Sequence, residues 1–346
     1  MEWYVIPLFI VGLLCLIKGG DWFVDGASGI AKRFKIPEIL IGATIVSAGT
    51  TLPEVMVSAT SAAQGSGGIA FGNAIGSIIC NTALIAAVTV AIKPGKADRK
   101  TMIIPVAFFF GSAIYYSLIA YFGTQFSRIS GIILLLTFAA YMSLNVVIAK
   151  GKAKETCTDG VDCQCTTEVD TGAENGVADE GKKGLVKEII MIAVGAVLIA
   201  VGARLLVDNA TVMAKFFGMS EAIIGLTIVA LGTSLPEFVT AVTSLIKGHS
   251  SLSLGNIIGA NLFNIVFVSG VSITISPFSV PEEDVLANGM LANGMLASLA
   301  IDIPVMLGVM LILTVPTLIR GKLSRVQGIS LLAIYAGYIA LRMILV

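Results

Sequence analysis

The sequence predicts an all-α membrane protein of ten transmembrane helices, arranged as two inverted five-helix repeats. Three observations predict it. Hydrophobic residues fill 56% of the 346 positions and charged residues only 13%, about half the charge of an ordinary soluble domain. Apolar stretches approaching the ~20 residues needed to cross a bilayer recur along the whole chain. The chain also repeats itself at one fixed offset.

Hydropathy places the helices near residues 4–26, 37–63, 69–92, 101–122 and 128–149, then 185–209, 219–246, 252–276, 294–316 and 326–345. The first apolar run, Tyr4 to Ile17, lacks the basic start and small-residue cleavage site of a secretory signal. It reads as the start of a retained helix that continues through Lys18 and Asp21. Between the two sets, Lys150 to Lys183 contains eight acidic residues. That stretch cannot bury enough apolar surface to fold alone, so it reads as a flexible linker. The expected division is therefore 1–149, a linker at 150–184, and 185–346.

Five cysteines are too few and too scattered for a disulfide scaffold. Cys15 and Cys80 lie in apolar runs and read as packing residues. Cys157, Cys163 and Cys165 stand in the linker among Asp159, Asp162, Glu168 and Asp170. Cys-x-Cys without a second pair is a weak zinc signature, and a plain linker is favoured. A tandem Leu-Ala-Asn-Gly-Met at 286–295 reads as a small duplication in a loop.

Shifting the numbering by 183 aligns the halves. Ile41-Gly42-Ala43-Thr44-Ile45-Val46 matches Ile224-Gly225-Leu226-Thr227-Ile228-Val229. Gly49-Thr50-Thr51-Leu52-Pro53-Glu54 matches Gly232-Thr233-Ser234-Leu235-Pro236-Glu237. Without a gap, Gly72-Asn73-Ala74-Ile75-Gly76-Ser77 then matches Gly255-Asn256-Ile257-Ile258-Gly259-Ala260, and Asn81 falls on Asn264. Chance similarity of apolar helices would not keep Pro, Glu, Gly and Asn in one register, so this is a duplicated unit. Five spans is odd, so the second copy must enter the membrane from the opposite side, as in many secondary transporters.

With the N-terminus outside, the inner loops hold seventeen of the twenty-two Lys and Arg, from Lys32, Arg33 and Lys35 to Arg320, Lys322 and Arg325. Pro281-Glu282-Glu283-Asp284 then falls outside. The positive-inside rule predicts a multi-pass protein of the cell membrane with its linker in the cytoplasm. Zero net charge gives no sign of nucleic acid, and the bilayer is the one partner expected. An intramembrane protease would need a His-Glu-x-x-His motif, a Ser-His pair or paired aspartates. The only histidine, His249, is in a predicted loop, so no enzyme is expected.

Glu54 and Glu237 are the strongest functional candidates, because an ionised carboxylate inside an apolar segment marks function by default. Each follows a Gly-Thr-(Thr/Ser)-Leu-Pro sequence. Proline removes a backbone donor and crowds the carbonyl four residues back, so each helix should kink and expose carbonyls near Ser47 and Ala230. Hydroxyls at Thr50, Thr51, Thr233 and Ser234 can share a face with the glutamates. The next helix of each half adds Asn73, Ser77 and Asn81, or Asn256 and Asn264. For Asn73 and Asn256, interhelical bonding is as reasonable as ion ligation. The glycines at 72, 76, 255 and 259 read as packing residues. Such an all-oxygen inventory, with no thiolate–imidazole set, suits hard cations: calcium or sodium. Two carboxylates neutralise one Ca²⁺ or two monovalent ions. An empty, doubly charged site is costly inside a membrane, which favours obligatory exchange.

These paired motifs, at 49–54 with 72–77 and at 232–237 with 255–260, resemble the two alpha-repeats of the calcium/cation antiporters, and within them the prokaryotic sodium/calcium exchangers. The resemblance implies ten helices, alternating access, no cofactor, and a site between helices 2, 3, 7 and 8 that takes Ca²⁺ or several Na⁺. Its ligands would be Ser47, Thr50, Thr51, Glu54, Ser77 and Asn81, with Ala230, Thr233, Ser234, Glu237 and Asn264. Ser47 and Ala230 would act through their carbonyls, and the two glutamates would share the Ca²⁺. Two positions depart from the family pattern: Ala260 stands where many relatives have serine, and Asn264 where many have aspartate. Asn264 argues against the potassium-dependent branch. Proton/calcium exchange through the same glutamates is the alternative, and a passive cation channel a weaker one. Asp302, without an acidic counterpart at position 119, is expected to snorkel to the outer interface, with proton coupling as its other reading.

Overall fold

The computed structural model describes residues 3–34, 36–65, 67–95, 97–123, 125–158, 174–216, 230–280 and 298–345. These residues are helical nearly throughout. They contain no β-strand, only an isolated bridge between Phe126 and Phe278. We number the helices in chain order: α1 (Val5–Arg33), α2 (Glu38–Thr50), α3 (Leu52–Ala63), α4 (Gly67–Ile92), α5 (Arg99–Phe122) and α6 (Arg128–Thr158). There follow α7 (Glu174–Phe216), α8 (Ala230–Thr233), α9 (Leu235–Ile246), α10 (Ser250–Ile275), α11 (Leu299–Arg320) and α12 (Arg325–Leu345).

Among the described residues seven helices are long and apolar enough to cross a membrane: α1, α4, α5, α10, α11, the Arg128–Ile148 part of α6 and the Gly184–Leu206 part of α7. The bent pair α2–α3 makes an eighth. Of the two further spans that hydropathy expects, one begins in residues outside the described set and ends in α8 and α9; the other corresponds to α12. Helices α6 and α7 extend into the predicted linker from either side. Cys163, Cys165, the acidic 281–284 segment and the tandem repeat at 286–295 lie outside the described residues.

α2 and α3 meet at 47°, with Thr51 between them. The cause is local. Pro53 has no N–H to give the carbonyl of Gly49, and its ring crowds that carbonyl, so α2 ends and a new helix starts. Ser234 separates α8 from α9 just ahead of Pro236 in the same way. The carbonyl of Ser47 keeps its helical partner, accepting from the Thr51 N–H at 2.9 Å, so the break leaves it one lone pair instead of freeing it. Four helices also carry π-helical turns: α2 over Gly42–Val46, α4 over Asn81–Ala86, α10 over Asn264–Val268 and the start of α11 over Ser298–Asp302. The turns at Asn81 and Asn264 open at the same position of the sequence repeat. Such bulges are uncommon and often mark functional positions.

Glycines set how the halves meet. A methyl group on Gly12 would lie 2.9 Å from the carbonyl oxygen of Gly202, one on Gly19 2.9 Å from that of Gly195, and one on Gly26 2.7 Å from that of Glu188. α1 and α7 therefore run antiparallel with their backbones touching every seventh residue, as small residues permit in membranes. Gly12 and Gly19 correspond to Gly195 and Gly202 under the 183-residue shift, so each half supplies the same seam. A second crossing joins α2 to α10. A methyl on Gly255 would collide with the carbonyl of Ile39, and one on Gly259 with the Ala43 backbone and the Ser47 hydroxyl. No described atom lies within 4 Å of such a group at Gly72 or Gly76.

Candidate functional site

The two helix breaks place Glu54 in the first turn of α3 and Glu237 in the first turn of α9. Both are fully buried. The first turn of a helix presents unpaired N–H groups and the positive end of its dipole, which favours a carboxylate there. A proline that looks like a defect in a membrane helix thus creates the local setting for an acid.

The glutamates come from opposite halves and are close enough to feel one another's charge. The Thr51 hydroxyl donates across the junction to Glu237 Oε1 at 3.3 Å, and the Thr50 hydroxyl lies beside the same carboxylate. Thr50, Thr51, Ser47, Ser77 and Ser234 are all buried, and Thr233 is half-buried. The π turn opening at Asn81 packs against α9, the helix of Glu237. The one opening at Asn264 packs against α3, the helix of Glu54. Ala230 is the first residue of α8.

Buried polar groups normally have partners. Here both carboxylate oxygens of Glu54, Oε2 of Glu237, and the amide oxygen and nitrogen of both Asn81 and Asn264 have none among the described residues. No group of three or more His, Cys, Asp or Glu is gathered to hold a metal among those residues, so the oxygens on offer come from two acids, hydroxyls and amides. Nearly every residue singled out in the sequence therefore lies on the broken helices or on the helices packed against them.

Asn73 and Asn256 make interhelical bonds. Asn73 Nδ2 donates to Ser58 Oγ at 2.8 Å and to the Glu54 carbonyl at 3.4 Å. Asn256 Nδ2 donates to Thr240 Oγ1 at 2.9 Å, while its Oδ1 lies 3.4 Å from both the Ser47 and Thr50 hydroxyls.

One expectation needs correction. Asp302 does not snorkel to water. It is buried, accepts from the Tyr338 hydroxyl at 3.0 Å, and pairs with Arg342 Nε of α12 at 3.7 Å. A partner 40 residues away is available only once α11 and α12 pack. Cys80 is buried among the apolar residues of the core, as its apolar run predicts. Sequence reasoning also passed over Asn261, which donates to Thr82 Oγ1 at 2.7 Å and stands three residues before Asn264, on its helix face.

The profile of the family described as "Sodium/calcium exchanger protein" matches residues 4–147 and 187–344. Among curated relatives, the inner membrane protein YrbG of Escherichia coli K12 is 35% identical over 78% of this chain and 79% of its own. The sodium/calcium exchanger MaX1 of Methanosarcina acetivorans is 29% identical over 96% of both chains. Among solved structures, the sodium-calcium exchanger NCX_Mj soaked with 10 mM Na⁺ and zero Ca²⁺ superposes with a TM-score of 0.76 at 29% identity, covering 98% of this chain and 99% of that one.

Proposed function

The chain belongs to the sodium/calcium exchanger protein family of membrane antiporters, and on that footing we propose that it exchanges Ca²⁺ for Na⁺ by alternating access. Glu54 and Glu237 are the shared Ca²⁺ ligands. Thr50, Thr51, Thr233, Ser234 and Ser77, the amides of Asn81 and Asn264, and the carbonyls of Ser47 and Ala230 complete that site and the flanking Na⁺ sites.

One observation carries the reading: two fully buried carboxylates, one from each half, stand together with three of their four oxygens lacking any donor among the described residues. Two like charges in a low-dielectric interior repel strongly, and leaving them uncompensated costs several kcal/mol. A bound cation relieves that repulsion, and the surrounding oxygens match the hard-cation preference of Ca²⁺ and Na⁺. The antiparallel α1–α7 seam, formed by glycines that correspond between the halves, supports two inverted repeats. The distribution of Lys and Arg supports an outer N-terminus and a cytoplasmic linker.

Proton/calcium exchange is the second reading, favoured by the same proximity of the two acids, since a shared proton also relieves their repulsion. Flux of ⁴⁵Ca²⁺ into proteoliposomes separates the two. With the proton gradient collapsed, an imposed Na⁺ gradient should drive uptake, and Glu54→Gln or Glu237→Gln should stop it. Uptake that requires only a pH gradient rejects sodium coupling. Uptake that persists in both variants rejects the site.

A further inference from the structure

We propose that Asn256 is a positioning residue that turns the Thr50 hydroxyl, and secondarily that of Ser47, so that their lone pairs face the transported cation. This rests on the reading above that Thr50 belongs to the cation site.

A hydroxyl has one hydrogen and two lone pairs. It can serve as a cation ligand only if its hydrogen is given to an acceptor elsewhere. The structure fixes that choice through a chain of bonds beginning at the second glutamate's own turn. The Thr240 hydroxyl donates to the carbonyls of Pro236 and Glu237 at 2.9 and 3.0 Å. Carbonyls can only accept, so the Thr240 hydrogen is committed and its oxygen must accept from Asn256. The Asn256 amide therefore presents Nδ2 to Thr240, at 2.9 Å, and has no freedom to flip. Its Oδ1 is left facing Thr50 and Ser47 as an acceptor for their hydrogens.

The two hydroxyls depend on Asn256 unequally. Ser47 has a nearer acceptor in the Gly42 carbonyl at 2.8 Å. Thr50 has no acceptor that close: the Ser47 carbonyl lies at 3.4 Å, and its remaining neighbour is the Glu237 carboxylate. The chain crosses between halves: Thr240 and Asn256 belong to one repeat, Thr50 and Ser47 to the other. Asn73 takes no such part, since its Nδ2 goes to Ser58 and the Glu54 carbonyl. Nothing in the repeated motif distinguishes the two asparagines; their partners do.

The test is a double-mutant cycle in full-length protein in proteoliposomes, reading apparent KM for Na⁺ and Ca²⁺ separately from maximal rate. Asn256→Leu should raise the apparent KM for Na⁺ by about three- to tenfold, the effect of one hydrogen bond, with a smaller change in maximal rate. In a Thr50→Val background the same substitution should add less than about twofold. Additive effects, or a loss of maximal rate with KM unchanged, overturn the proposal. Thr240→Val supplies a variant that leaves the interface amide in place. It should raise KM in the same direction, and Thr240→Ser should restore it; an unchanged KM in Thr240→Val overturns the proposal even if Asn256→Leu does not fold. Failure of the underlying site reading shows differently, as transport that survives Glu54→Gln and Glu237→Gln.

Discussion

The segment around Glu54 and the segment around Glu237 share a motif, a broken helix and a buried acid, yet they are wired differently. In the first half Asn73 reaches Ser58, four residues beyond the glutamate; in the second Asn256 reaches Thr240, three residues beyond. Positions i+3 and i+4 lie on the same helix face, so either register supplies a hydroxyl to the amide. The repeat preserves the face and not the residue. The second asparagine then continues across the junction to Thr50 and Ser47. Ser77 faces Ala260 in the alignment, so one half carries a hydroxyl where the other has a methyl. Duplication has conserved the backbone geometry and the acids, while the hydrogen-bonding shell has diverged.

The largest expected effect tests whether the acids are equivalent despite that divergence. Glu54→Gln and Glu237→Gln should each reduce ⁴⁵Ca²⁺ exchange by about 100-fold or more; a large effect in only one would end the functional symmetry of the two halves. Next comes the crossing of α2 with α10. Gly255→Ala drives a methyl into the Ile39 carbonyl and should cost about 1–3 kcal/mol, read as a lowered Tm in detergent. Asn264→Asp adds a third carboxylate to the second half alone. It should tighten Ca²⁺ binding by about tenfold and make exchange fall as pH drops and the new carboxyl protonates, in pH-dependent flux. Ala260→Ser would return a hydroxyl to the position matching Ser77. It should lower the apparent KM for Na⁺ by about threefold, and no change would mean that Ala260 lies beyond reach of the ions.

What the sequence made legible follows the range of the physics. Pro53 and Pro236 break their helices through a missing N–H and a clash within one turn, so the bend could be read from five residues. Burial of Glu54 and Glu237 followed from apolar flanks and a repeat. Partners far along the chain could not be read. Arg342 neutralises Asp302 only after α11 and α12 pack, and Asn256 bonds with Thr50 some 206 residues away. The π turns at Asn81 and Asn264 were also invisible, because widening a helix by one residue depends on what it packs against and leaves no local composition.

The glycine seam between α1 and α7 has a consequence for how the molecule can be assembled. Backbones in contact at Gly12, Gly19 and Gly26 join the halves at close range, far from the covalent link in sequence. Two separately translated fragments, one ending and one beginning within residues 159–173, should therefore find each other in a membrane and reconstitute transport when co-expressed. Widening the seam with Gly19→Leu should make that complementation fail at expression levels where the uncut chain still tolerates the change.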